Sequence, residues 1–149
     1  MREGWQHSEG ELTLDAAEVS RLVRDAIPSA SVTAFRPAVG GLSNTNIEVE
    51  LADAPHRVLL RLYQRDRVAA QREAALSAVV LQQGVPAPRF FHIGDRNGRP
   101  YALLEWIAGS RLETVAHGLA EEDLVSLGRS LGRLLASIHA IAFEQAGFL

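Results

Sequence analysis

Apolar and polar positions along this chain follow two periods, and the points where the period changes divide it into elements. Asp15 and Glu18 have capping-box spacing, and Val19, Leu22, Val23, Ala26 and Ile27 share one helical face that Pro28 ends, which predicts a surface helix. Residues 31–38 and 46–51 read as strands. In the second, Ile47, Val49 and Leu51 alternate with Glu48 and Glu50, so one of its faces is expected to meet water. Val58, Leu59, Leu60, Leu62 and Tyr63 are apolar on both faces, the mark of a strand covered on both sides, with Arg61 in its middle. Asp66 as N-cap, Gly84 at C′ and Pro86 as a stop predict a helix over 67–83, whose apolar stripe holds Ala69, Leu76 and Val80 together with Glu73. Residues 89–93 and 100–107 read as strands around the turn GDRNG, in which Asn97-Gly98 is a hairpin signal. A short helical piece over 110–117 leads to a long helix over about 120–142, striped by Leu124, Leu127, Leu131, Leu134, Leu135, Ile138 and Ile141.

The order helix, three strands, helix, two strands, long helix predicts an α+β fold, an antiparallel sheet of about five strands with a packed helix and then the long C-terminal helix. Residues 1–13 are polar and unpatterned, and a flexible leader is expected there.

Composition narrows the function classes. At 47% hydrophobic and 22% charged residues, the 149-residue chain has the balance of a folded globular protein. A net charge of −3 with no block of like charge argues against a nucleic-acid partner. The absence of cysteine removes disulfides, thiolate zinc sites and thiol nucleophiles. His7, His56, His92, His117 and His139 show no close metal-ligand spacing. No run approaches the ~18 apolar residues of a membrane span, and no signal-peptide core opens the chain, so no membrane association and a cytoplasmic location are expected.

Two features carry candidate chemistry. Arg61 in an apolar strand and Glu73 on a core-facing helix stripe would each be costly unpaired, and each can supply the other's partner. The other reading puts Arg61 at a strand end and Glu73 at the stripe's edge, both in water, and spacing alone does not decide between them. The stretch VGGLSNTN, residues 39–46, is by itself a loop rich in turn formers. Its functional reading is a phosphate cover, in which glycines let backbone N–H groups approach an anion and the Ser43 hydroxyl adds a donor, although it matches neither GxxxxGK[ST] nor GxGxxG.

Taken in order, GGLSNTN, VLLRLY, QREAAL and PYALLEWIAG resemble the N-terminal lobe of the aminoglycoside phosphotransferase and choline kinase-like family, relatives of the protein kinases. LGRSLGRLLASIHAI is similar to the first long helix of that family's C-terminal lobe, with His139 at its LH position. The resemblance implies a kinase-like nucleotide-binding lobe over 14–109 and the start of a C-terminal lobe, truncated, over 110–149. It implies that Gly40, Gly41, Ser43 and Asn44 cover the nucleotide phosphates. Arg61 would stand where the family carries its strand lysine or arginine, and Glu73 would orient that cation. Arginine is no neutral replacement for lysine, because its planar fork binds carboxylate and phosphate at once. Leu104, Glu105, Trp106 and Ile107 match the hinge, with the Glu105 carbonyl and the Ile107 amide reading the adenine edge and Leu104 bordering the purine pocket.

ATP is the implied cofactor, with Mg2+ in the intact family enzyme, and a small-molecule hydroxyl is the implied acceptor of the γ-phosphoryl group. The family's HGD-type catalytic loop and its later metal-binding aspartate match nothing here. Asp15, Asp25, Asp53, Asp66, Asp95 and Asp123 all lie outside such a context, so no catalytic residue and no metal ligand is assigned. The expected function is the ATP-binding half of a small-molecule kinase, inactive alone. A non-catalytic kinase-like module that binds a nucleotide or a protein, and an α+β interaction domain in which Arg61 and Glu73 are only structural, are the alternatives. Self-association through the 120–142 helix is expected, since its stripe exceeds the cover available to it.

Overall fold

The structure, a computed structural model, describes residues 14–38 and 44–143. Five strands, β1 (Val32–Pro37), β2 (Asn44–Leu51), β3 (Arg57–Tyr63), β4 (Phe90–Arg96) and β5 (Arg99–Glu105), pair antiparallel in the order β1-β2-β3-β5-β4. The strand with the continuous apolar run, β3, is the central one, as a run apolar on both faces requires. The register slips by one residue between Val32 and Ala34 in β1 and between Phe90 and His92 in β4, so each outer strand carries a bulge.

Helix α1 (Ala16–Ala26) begins at the Asp15 cap, whose Oδ1 accepts the Glu18 N–H at 2.7 Å. Its Val19, Leu22 and Val23 are fully buried in a cluster with Ile47, Val49, Val58, Leu60 and Leu103 on one face of the sheet. Each such large aliphatic side chain contributes roughly 1.5–3 kcal/mol by leaving water. The helix is also tied by polar contacts near both ends. Tyr101 donates its hydroxyl to Asp25 Oδ2 at 2.8 Å, and the Arg96 guanidinium pairs with the Glu18 carboxylate. Burial first, and then the Asp25 carboxylate, push the Tyr101 phenol above its usual range. Gly94 lies opposite Tyr101 in the register, and a Cβ added there would come within 2.4 Å of the Tyr101 ring. The ring reaches α1 by crossing the space that only a glycine leaves open.

The Glu18–Arg96 pair makes stability depend on pH. The Arg96 hydrogen bond holds the Glu18 carboxyl below its ordinary 4.5, against the opposing effect of burial. A carboxyl lowered in the folded state contributes stability that is fully present above the unfolded value and is lost as pH falls through the folded one. Thermal melts are therefore expected to drop on acidification below about 4.5, and the drop should be shallower in Glu18→Gln. Identical acid limbs would show that the pair contributes nothing.

The second face of β2 departs from expectation. Glu48 does not meet water; it is 5% exposed. Arg36 lies directly across β1–β2 from it and holds it through Nε at 2.8 Å and Nη2 at 3.0 Å, while Arg57 Nε approaches from β3 at 3.1 Å. β2 has a neighbour on each side, and the arginine stems from both cover the carboxylate that alternation alone assigns to solvent.

Helix α2 (Ala69–Gln82) starts two residues later than the spacing predicts. Asp66 still caps, its Oδ1 accepting the Val68 N–H at 2.9 Å, but Arg67 and Val68 form a turn before the regular helix. The helix is also rotated from the expected stripe. Ala70 and Ser77 are its buried residues, whereas Leu76 is 45% exposed. The stop is as expected. Gly84 has φ +75°, its N–H bonds to the Leu81 carbonyl at 3.0 Å and the Val85 N–H to Val80 at 2.9 Å, a Schellman closure. The β4–β5 turn is tighter than GDRNG suggests. Only Asn97 (φ 54°) and Gly98 (φ 78°) turn, so β4 continues through Arg96 and the Asp95 carboxylate accepts the Gly98 N–H at 2.7 Å.

The chain divides into two compact units. The first runs up to Ala74 and resumes over Arg89–Trp106; the second holds Ala75–Pro88 and the residues from Ile107 onward. In the second, α3 (Leu112–Val115) is followed by one 3-10 turn and by α4 (Glu121–His139). No residue of α4 is buried: Leu127 and Leu134 are half-buried, and Leu124, Leu131, Leu135 and Ile138 are exposed. No described helix is long and apolar enough to cross a membrane.

Candidate functional site

β3 carries Leu59, Arg61 and Tyr63 on one face because alternate residues of a strand point the same way. That is the face opposite the α1 cluster. The register sets Asn46 of β2 directly opposite Arg61, and α2 brings Glu73 above them. Arg61 donates through Nη1 to Glu73 Oε2 at 2.6 Å and through Nε to Asn46 Oδ1 at 2.9 Å. Tyr63 donates its hydroxyl to the same Glu73 Oε2 at 2.7 Å. The expected ion pair between the third strand and the following helix is thus present.

It is less buried than its place in an apolar strand suggests, with side-chain exposures of 24% for Arg61 and 38% for Glu73. The strand's apolar neighbours bury the stem, while the guanidinium reaches toward the sheet surface. Half-exposed pairs of this kind add little stability, on the order of 0–1 kcal/mol. Tyr63, by contrast, is only 2% exposed and packs with Ala70, Ala102 and Leu104. Burial first, and then the bond to Glu73, raise its phenol above the usual range, so it stays a donor.

The remaining predicted residues fall as follows. Gly40, Gly41 and Ser43 lie outside the described residues, while Asn44 opens β2, paired with Tyr63. Leu104, 1% exposed, stands between Leu59 and Phe90 on the Arg61 face. The backbone N–H of Glu105 donates to the Arg89 carbonyl at 2.8 Å, and its carboxylate accepts the Arg89 N–H at 3.2 Å. Trp106 lies beside Arg57, whose guanidinium carbon is 5.8 Å from the indole centroid. Ile107, in the second unit, is exposed. β5 ends at Glu105, short of the predicted 107.

Sequence reasoning passes over Asn46 and Tyr63. Tyr63 was legible as the residue two places beyond Arg61, hence on its face; Asn46 needed the β2–β3 register. Among the described residues no group of three His, Asp or Glu side chains can hold a metal ion. No magnesium ligand is assigned among them.

Comparison with known proteins gives the family and the fold. A model of the phosphotransferase enzyme family (APH) matches residues 34–149. The chain belongs to that family. No curated protein matches it. Solved structures with a similar fold include APH(2")-IIa in its ternary complex with streptomycin and ATP, at 18% identity and a TM-score of 0.61, aligned over 89% of this chain and 42% of that one. A candidate fructosamine-3-kinase from Haemophilus somnus 129PT aligns at 19% identity and a TM-score of 0.51 over 62% of this chain and 32% of its own. A candidate aminoglycoside phosphotransferase from Ralstonia eutropha JMP134 aligns at 16% and 0.50, over 66% and 29%. The chain spans less than half the length of each. At these identities what is shared is the fold, and the five-stranded antiparallel sheet with its helices is the kinase-like N-terminal lobe of this phosphotransferase family.

Proposed function

We propose that this chain supplies the ATP-binding half of a small-molecule kinase, an enzyme passing the γ-phosphoryl group of ATP to a substrate hydroxyl. The Arg61–Glu73 ion pair carries the reading, because it joins the central strand to α2 on the face opposite α1 and presents a guanidinium with N–H groups to spare. A fork of this kind meets phosphate oxygens in two directions at once, and in kinases the strand cation does so only when its helix carboxylate holds it. Gly40, Gly41, Ser43 and Asn44 would add loop donors above the phosphates. Leu59, backed by the buried Leu104, would offer an apolar surface for the purine, with the Glu105 carbonyl and Trp106 along its edge. Magnesium, when bound, would neutralise phosphate charge. Its ligands are not assigned here, and the acceptor class follows APH(2")-IIa only as far as a hydroxylated small molecule.

Calorimetric titration with a non-hydrolysable ATP analogue tests this. Saturable binding that weakens as salt rises is expected, since a charged ligand meets a charged fork near the surface. No saturation at about 1 mM analogue, the weakest useful range, would remove the nucleotide reading.

A further inference from the structure

We infer that Asn46 and Tyr63 are positioning residues of the nucleotide site, Asn46 fixing the plane of the Arg61 guanidinium and Tyr63 keeping the Glu73 carboxylate in place while phosphate competes for that guanidinium; the inference rests on the nucleotide reading above. A guanidinium held at one nitrogen can still swing about that contact. Held at two, Nε by Asn46 at 2.9 Å and Nη1 by Glu73 at 2.6 Å, its plane is set. Because Arg61 can only donate, the Asn46 atom facing it must be the amide oxygen. An ammonium has all its donors on one rotor and no Nε, so this amide serves an arginine in particular.

Tyr63 answers a different problem. A polyphosphate carries charge of the same sign as Glu73 and draws on the same cation, so a carboxylate held by Arg61 alone would be held less firmly once the ligand shares the fork. Glu73 Oε2 accepts from Tyr63 as well, at 2.7 Å, and that donor is neutral. The phenol is 2% exposed and remains protonated, so the link between β3 and α2 does not depend on where the guanidinium spends its charge.

Three variants test the assignment. Tyr63→Phe keeps the ring and its packing and removes only the hydroxyl. Asn46→Ala removes the acceptor, while Asn46→Asp keeps an acceptor for Nε and adds a negative charge. In the free chain, the Arg61 Nε–H signal in 15N-resolved NMR is expected to be protected from exchange in the wild type and in Asn46→Asp, and to lose protection in Asn46→Ala. Affinity for the non-hydrolysable ATP analogue should fall about tenfold in Asn46→Ala and in Tyr63→Phe, the scale of one hydrogen bond to a charged group. Asn46→Asp should fall as well, although its hydrogen bond survives, because the new carboxylate opposes the phosphates; a purely structural amide would be rescued by aspartate. Melting curves confirm that each variant is folded. Wild-type binding with unchanged affinity in Asn46→Ala and Tyr63→Phe overturns the inference and leaves the nucleotide reading standing. If the wild type binds no nucleotide, that reading falls, and an Nε–H signal unmoved in Asn46→Ala overturns the guanidinium assignment independently.

Discussion

Arg61→Ala is expected to weaken binding of a non-hydrolysable ATP analogue by roughly 100-fold, the loss of about two charge-assisted hydrogen bonds. On the same face Arg36 and Arg57 are engaged by the buried Glu48, so neither is placed to substitute. The fold should barely register the change. Glu73 is 38% exposed and keeps its bond to Tyr63, so truncating Arg61 leaves a hydrated, still-bonded carboxylate, and a stability loss within about 1 kcal/mol is expected. The combination is diagnostic. Arg61→Lys should fall between the two, retaining charge but losing Nε and hence Asn46. Titration and thermal unfolding on the same preparations decide the matter: an Arg61→Ala chain that melts far below the wild type would make Arg61 a structural residue, and one that binds as tightly would remove it from the site.

The second large effect lies on the opposite face of the sheet. Gly94→Ala is expected to destabilise the fold by about 2–3 kcal/mol, because its new methyl would enter the space of the Tyr101 ring and overpacking of a filled core costs this much. The ring cannot step aside cheaply. It is 1% exposed, and its hydroxyl is fastened to Asp25 of α1. Made in a Tyr101→Leu background, the same methyl meets no ring, and its added cost should shrink to below about 1 kcal/mol. Urea unfolding of the four chains gives the coupling directly, and additive losses would mean that the ring and the glycine do not oppose one another.

Reading the chain by period worked best where a single element decides the outcome. The central place of β3 follows from apolar residues on both faces, and the ends of α1 and α2 follow from Asp15, Asp66 and Gly84, whose chemistry is local. The Arg61–Glu73 pair was only a candidate from its apolar setting, which left a solvated reading open, and the order of the neighbouring motifs favoured it. What escaped depends on contacts between elements. Glu48 alternates with apolar residues like any solvent-facing glutamate, and only the register that sets Arg36 opposite it, with Arg57 alongside, reveals a buried carboxylate. Asn46 becomes part of the site only through the same kind of cross-strand pairing. The rotation of α2, which buries Ser77 and exposes Leu76, is set by how the helix packs, including the Ser77 hydroxyl bond to the Pro88 carbonyl at 2.6 Å; the helix is too evenly apolar for its own pattern to choose a face.

The irregular outer strands bear on how the protein behaves when crowded. A sheet edge presents spare backbone donors and acceptors, and a straight edge is a template on which another chain can add a strand. Here the bulge at 32–34 bends one edge and the bulge at 90–92 bends the other. The first edge also ends on Pro37, which has no N–H to offer, and displays the charged Arg36 beside it. Both margins are therefore poor seeds for strand addition, and the apolar side chains of β3 and β5 lie between guarded borders.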